Sequence, residues 1–288
     1  AAAFDAFART AGAGESITVR VQQSWKFTLA AVLVLIGVAV AGYRWGLPAA
    51  ARAVLAFVPA TVDQRVGASA YDTIAPWLLK PSRVAPERQA HLRSAFQRAL
   101  VRAQTQQSGM AIELRFHSAP RLGPNAFALP GGIIVVTDEL LTRLEKRDDV
   151  VLGVLGHELA HVQRRHGMRL LVQTTLLGAA TSVAFGDFST LLAGLPALLG
   201  QLGYSRDLER EADGDSIDFM RANGISPLVM VTMFELVSRP ASRGAASAPQ
   251  AGAPSSATES SMGLGIAFSS HPADDERIAR FRAAAASR

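Results

Sequence analysis

Seventeen consecutive residues without a charge, FTLAAVLVLIGVAVAGY from Phe27 to Tyr43, limit this chain more than any other stretch. In hydrocarbon the backbone N–H and C=O groups find no water, so a single apolar run crosses only as a helix that satisfies them internally. The run is at the short end for a crossing. Trp25 and Lys26 before it, with Tyr43, Arg44 and Trp45 at its far end, supply the aromatic and basic anchors of the two interfaces. A signal peptide fits less well, because the run lies internally and no small-residue cleavage site follows at once. Residues 25–45 are therefore expected to form a transmembrane helix, with the lipid bilayer as a partner. The sequence opens in mid-pattern without Met, so residues 1–24 are expected to be a truncated N-terminal segment. Arg9, Arg20 and Lys26 precede the run and Arg44, Arg52 and Arg65 follow it, so charge bias does not set the orientation.

With 288 residues, 49% of them hydrophobic, the rest of the chain has ample material for a packed core. It has no cysteine, which excludes disulfides and thiolate ligands and leaves imidazole and carboxylate to hold any transition metal. The same absence is compatible with an oxidising compartment. The net charge is +5, but the Arg and Lys residues are scattered and carry no aromatic interleaving, so no nucleic acid partner is expected.

Residues 46–86, rich in alanine and proline, are expected to be a helical connector. From Glu87 to Gln104, Leu92, Ala95, Phe96, Ala99, Leu100 and Ala103 recur at three and four, which predicts an amphipathic helix opened by Pro86. AIELRFH (111–117) alternates as a half-buried strand does, and PGG (130–132) turns the chain into IIVV (133–136), so two or three strands are expected. Thr137 with Asp138 and Glu139 opens a short helix, and Asp148 with Asp149 opens the next, the carboxylates favoured by the positive helix end. Residues 170–205 carry only Asp187 as a charge. Their threonines, glycines and Pro196 favour buried or interfacial helices over a membrane hairpin. The Ser, Ala, Pro and Gly of 238–263 predict a flexible loop.

Within the helix opened at Asp148, Val151, Leu155, Leu159 and Val162 line one face, and His157 and His161 of GHELAHVQRRHG (156–167) stand one turn apart on another. Two imidazoles so spaced grip one ion, and Glu158 reaches a water on it without ligating the ion. A third protein ligand is needed. In YSRDLEREAD (204–213), Glu209 and Asp213 share a helix face beside the small Ala212, so Glu209 would complete the set. Asp213 would accept a hydrogen bond from the far nitrogen of a ligating imidazole. The bland alternatives are a solvated polar face for the first motif and an exposed charged turn, with Arg206 and Arg210 as partners, for the second. His166, five residues past His161, is expected at the surface, and His91 and His117 have no ligand spacing.

In this order and combination the motifs resemble the M48 zinc metallopeptidases. GPNAFALPGGIIVV (123–136) is similar to that family's strand segment ahead of the catalytic helix, and SSHPADDERI (269–278) to its histidine-proline segment. The resemblance covers about residues 87–285. It implies an α+β fold: a mostly helical zincin-like domain over 87–288 with a small β-sheet, preceded by the transmembrane helix. It implies one Zn2+ held by His157, His161 and Glu209, with Glu158 as general base and Asp213 as the aspartate of E-x-x-A-D. It further implies a substrate-binding edge strand at Asn125, Ala126, Phe127 and Ala128, where an extended peptide adds as a strand. His271, with Arg277 six residues on, would face the zinc and substrate, stabilising an oxyanion or occupying the water position at rest. Neither the tetratricopeptide repeats nor the additional spans of some relatives are expected within residues 1–288. The single span fits a bacterial inner-membrane protein with its catalytic domain in the periplasm.

The expected reaction is peptide-bond hydrolysis by a zinc-bound water whose proton Glu158 removes, on peptides or on unfolded and misassembled envelope proteins. Two alternatives stand beside it. One is a latent or non-catalytic zinc-binding, chaperone-like module, with 170–205 and the loop before His271 as covers; the other is a hydrolase of non-peptide amides.

Overall fold

The structure, a computed structural model, describes residues 25–104, 111–185, 205–238 and 274–287. Residues 1–24, the part of 170–205 from 186 to 204, the loop stretch from 239 onward and His271 lie outside the described residues. The chain falls into two units, residues 1–53 and 54–288.

In the first unit α1 (Trp25–Ala41) has no buried residue, and its apolar side chains, Leu33 and Leu35 among them, are exposed. A π turn (Gly42–Gly46) carries it into α2 (Leu47–Ala56). Pro48 lies just past that turn; it has no N–H and its ring crowds the carbonyl four residues back, which the wider turn accommodates. Trp25–Ala56 is thus continuous over 32 residues, and among the described residues it is the one helix long and apolar enough to cross a membrane.

The second unit runs α3 (Ala60–Leu78), β1 (Lys80–Pro81), α4 (Pro86–Arg102), β2 (Glu113–Ser118), β3 (Ala126–Ala128), a 3-10 turn (Pro130–Gly132), β4 (Ile133–Thr137), α5 (Asp138–Leu144), α6 (Asp148–Gln163), α7 (His166–Phe185), α8 (Arg206–Ala222), α9 (Leu228–Ser238) and α10 (Asp275–Ala286). The sheet order is β1-β2-β4-β3, with β2 parallel to β4 and the outer strands antiparallel to their neighbours. Among the described residues four strands stand where two or three were expected. The one without a sequence signal is β1, whose two residues, one of them proline, are too few to alternate.

All five residues of β4 are buried because both its faces are covered. Ile134 and Val136 join the main core with Leu92, Phe96, Leu155, Leu159, Met220 and Phe281, whereas Ile133 and Val135 pack with Ala70 and Leu129 in a smaller cluster. That second cluster is closed by Tyr71 and Ile74 of α3. The positive φ of Gly131 (78°) and Gly132 (102°) makes the PGG turn that reverses β3 into β4. Thr137 caps α5 by accepting from the Leu140 N–H, as its place before Asp138 predicts. The same hydroxyl accepts from the Asn125 N–H at 2.8 Å, which ties the start of β3 to the end of β4.

Candidate metal centre

Helix α6 crosses the core so fully that every residue from Gly153 to Val162 is buried. Two glycines let its neighbours approach. A Cβ at Gly156 would stand 2.4 Å from the Phe219 ring of α8, and one at Gly153 would stand 2.7 Å from Val229 of α9. With α8 so close, its fully buried Ala212 and the flanking Glu209 and Asp213 face His157 and His161.

The Nε2 atoms of His157 and His161 are 3.1 Å apart. Glu209 completes a triangle, its Oε2 3.3 Å from His157 Nε2 and its Oε1 3.4 Å from His161 Nε2. Donor atoms about 2.0–2.1 Å from one tetrahedral ion stand about 3.4 Å apart; here the two Glu209 contacts end on different oxygens, and one donor atom from each of the three residues lies within 4.8 Å of the others, close enough for a single ion to draw them together. The donor set, two imidazoles and one carboxylate with no thiolate, suits zinc and leaves one position open. His157, His161 and Glu209 are each at most 2% exposed, a burial that carboxylate and imidazole tolerate only with partners or a cation.

Around this triangle lies a set of charges. Asp213 Oδ1 is 3.1 Å from Nδ1 of His157. Arg277, on α10 and 4% exposed, donates from Nε and Nη2 to the two Asp213 oxygens at 2.8 and 2.7 Å, and its Nη1 is 2.9 Å from Glu209. Burial would raise the Asp213 carboxyl, but His157 and Arg277 hold it below the usual carboxylate range. Burial likewise works against a charged His157; the carboxylates of Asp213 and Glu209 win and lift it from 6.5 to about 9 in the metal-free protein.

His161 is backed differently. Its Nδ1 lies 2.9 Å from Nδ1 of His166, whose Nε2 is 3.3 Å from Glu211. His166 is fully buried, which corrects the surface position expected for it. The α-helical count fails there because α6 ends at Gln163 and Arg165 takes a left-handed φ of 55°, swinging the chain so that His166 returns against His161. Burial pushes the His166 imidazole down to about 4; Glu211 opposes this, but Arg169 and Arg164 stand nearby. The one signal in the sequence was a third histidine within the same twelve-residue motif.

Glu158 is 2% exposed and lines a cavity of about 40 Å³ together with His157, Asn125, Ala126, Met230, Phe234 and Arg277. Strand β3 borders this cavity and is the sheet edge, pairing only with β4 among the described strands. Asn125 and Ala126 are buried there, while Phe127 and Ala128 are half-buried. Arg277, expected to face substrate, touches the cavity, and its guanidinium is engaged by the Asp213 and Glu209 carboxylates.

A helical α+β domain that brings two histidines of one helix and a glutamate of another within 4.8 Å of one another fits the class of HExxH metal-site proteins. The sequence profile of peptidase family M48 matches residues 86–285, and the chain belongs to that family. It is 34% identical over 125 residues to Metalloprotease LoiP of Escherichia coli (strain K12), covering 40% of this chain and 48% of the relative. It is 30% identical over 179 residues to Mitochondrial metalloendopeptidase OMA1 of Schizosaccharomyces pombe, covering 59% and 47%. Over 190 residues it is 30% identical to a Protease HtpX homolog of Salinibacter ruber, covering 56% and 64%. The chain thus spans between about half and two thirds of these relatives' lengths.

Proposed function

We propose that the chain is a membrane-anchored zinc endopeptidase, a reading carried by the buried group of His157, His161 and Glu209, whose candidate donor atoms lie within 4.8 Å of one another. A zinc ion bound there supplies Lewis acidity, which acidifies water and polarises a carbonyl. Glu158, beside His157 in the cavity, takes the proton of the attacking water and passes it to the departing amine. Asp213 and Arg277 orient His157 and Glu209. The edge strand at Asn125 to Ala128 accepts an extended peptide through backbone hydrogen bonds, which selects peptides over other amides. His271 is proposed to face the same cleft. The apolar helix and the similarity to bacterial metalloproteases support a membrane-anchored bacterial protein; an inner-membrane location, a domain facing the periplasm and unfolded or misassembled envelope proteins as substrates complete the proposal.

The test pairs zinc content with casein cleavage. Glu158→Gln is expected to keep zinc and lose cleavage by roughly a hundred- to ten-thousand-fold, and Glu209→Ala to lose zinc as well. Undiminished proteolysis in the Gln variant overturns the role of Glu158. A second reading, a latent enzyme, is favoured by the size of the cavity at Glu158: about 40 Å³ admits a few waters but no peptide. Zinc-replete wild type without turnover, activated by altering His271 or residues 240–262, would select it.

A further inference from the structure

His161 has two ring nitrogens, and the proposed centre uses Nε2, which faces His157 and Glu209. A neutral imidazole carries one proton, so a ligand bound through Nε2 carries it on Nδ1. That nitrogen lies 2.9 Å from Nδ1 of His166. The contact is a hydrogen bond only if His166 accepts there, which leaves the His166 proton on Nε2, directed at the Glu211 carboxylate 3.3 Å away. Each link therefore sets the direction of the next, and the series ends on a group that can only accept.

The end of the series is itself fixed. Glu211 Oε2 receives Arg164 Nη1 at 3.1 Å and Arg169 Nη1 at 2.8 Å, one residue from each side of the turn that carries His166. Glu211 lies on α8 between Glu209 and Asp213, so one helix supplies the candidate ligand and the acceptors behind both histidines.

Resting on the reading of His161 as a metal ligand, we propose that His166 and Glu211 are positioning residues of the centre. Their relay holds the His161 ring with Nε2 toward the ion, as Asp213 does for His157. Outer partners of this kind orient the ligand and raise its basicity, and their loss typically weakens metal binding by about 10- to 100-fold. A purely space-filling His166 would instead tolerate any ring of similar size.

The full chain in detergent distinguishes the two. Zinc affinity is measured by chelator competition for the wild type, His161→Ala, His166→Phe and His166→Asn, with circular dichroism and thermal melting to report folding. Phe fills the space without an acceptor, whereas the Asn amide oxygen falls near the position of Nδ1. His166→Phe is expected to weaken zinc binding by about 10- to 100-fold, and His166→Asn to recover most of the loss. Wild-type affinity in His166→Phe, or equal losses in both variants, overturns the relay. Unchanged affinity in His161→Ala overturns the metal centre itself. Independently of any variant's folding, 15N NMR of the zinc-loaded wild type should find His166 protonated on Nε2; a proton on Nδ1 overturns the proposal.

Discussion

His157 sits between two carboxylates, and this has a consequence for the metal-free protein that is opposite to the usual penalty on a buried imidazole. Its proton is held up to about 9 in the fold against 6.5 when exposed. A group whose folded value is raised stabilises fully below its unfolded value and loses that stabilisation as pH rises, here from about 6.5 through about 9. A zinc ion bound as proposed would have to displace the same proton, so its apparent affinity should climb by up to about tenfold per pH unit and level off above the folded value. Apo-protein melting and chelator competition across that range check both trends, and a flat affinity profile would contradict them.

At the scale of helices, the approach of α8 to α6 sets where Glu209 stands, and Gly156 sets the approach. Replacing a helical glycine by alanine normally gains about 1 kcal/mol. Here the added methyl meets the Phe219 ring at 2.4 Å, and that ring is buried against Phe96 at 6.2 Å between centroids. Overpacking costs about 1–3 kcal/mol and outweighs the propensity gain. Gly156→Ala is therefore expected to lower the melting temperature and to weaken zinc binding by pushing α8 outward. Phe219→Leu in the same chain should restore part of both; a double variant no better than the single one would place the cause elsewhere.

Across the whole molecule, one ion pair joins the turn after α6 to the start of α3. Arg165 donates from Nε and Nη2 to the two oxygens of Asp63 at 2.7 and 2.6 Å, and from Nη1 and Nη2 to the carbonyls of Leu55 and Val58. Asp63 is 1% exposed, so Arg165→Leu leaves a buried carboxylate without its counter-charge, a loss of about 3–5 kcal/mol. Urea unfolding should show it, with partial recovery when Asp63→Asn is added. The anchor is tested at the same scale. The full chain should stay with carbonate-washed membranes, and a chain beginning at Val54 should be released; retention of the shortened form would assign the anchoring to another segment.

Local periodicity made much of this legible in advance. An uncharged run must close its own hydrogen bonds, so a helix at Trp25–Ala41 follows from composition alone. The three- and four-residue recurrence from Leu92 to Leu100 places those side chains in the core, and a spacing of four puts His157 and His161 on one face. The same rule misplaced His166, because it assumes that the helix continues through Arg164 and Arg165. Sequence by itself determined which residues share a face and which ends are capped, since those depend on neighbours within a turn. Tertiary structure alone decided that Arg277 reaches back to Asp213 and Glu209, that Asp63 meets Arg165, and that His166 stands behind His161. Such contacts join residues distant in the chain or across a break in the helix, and they depend on how closely two packed helices approach, which no local pattern encodes.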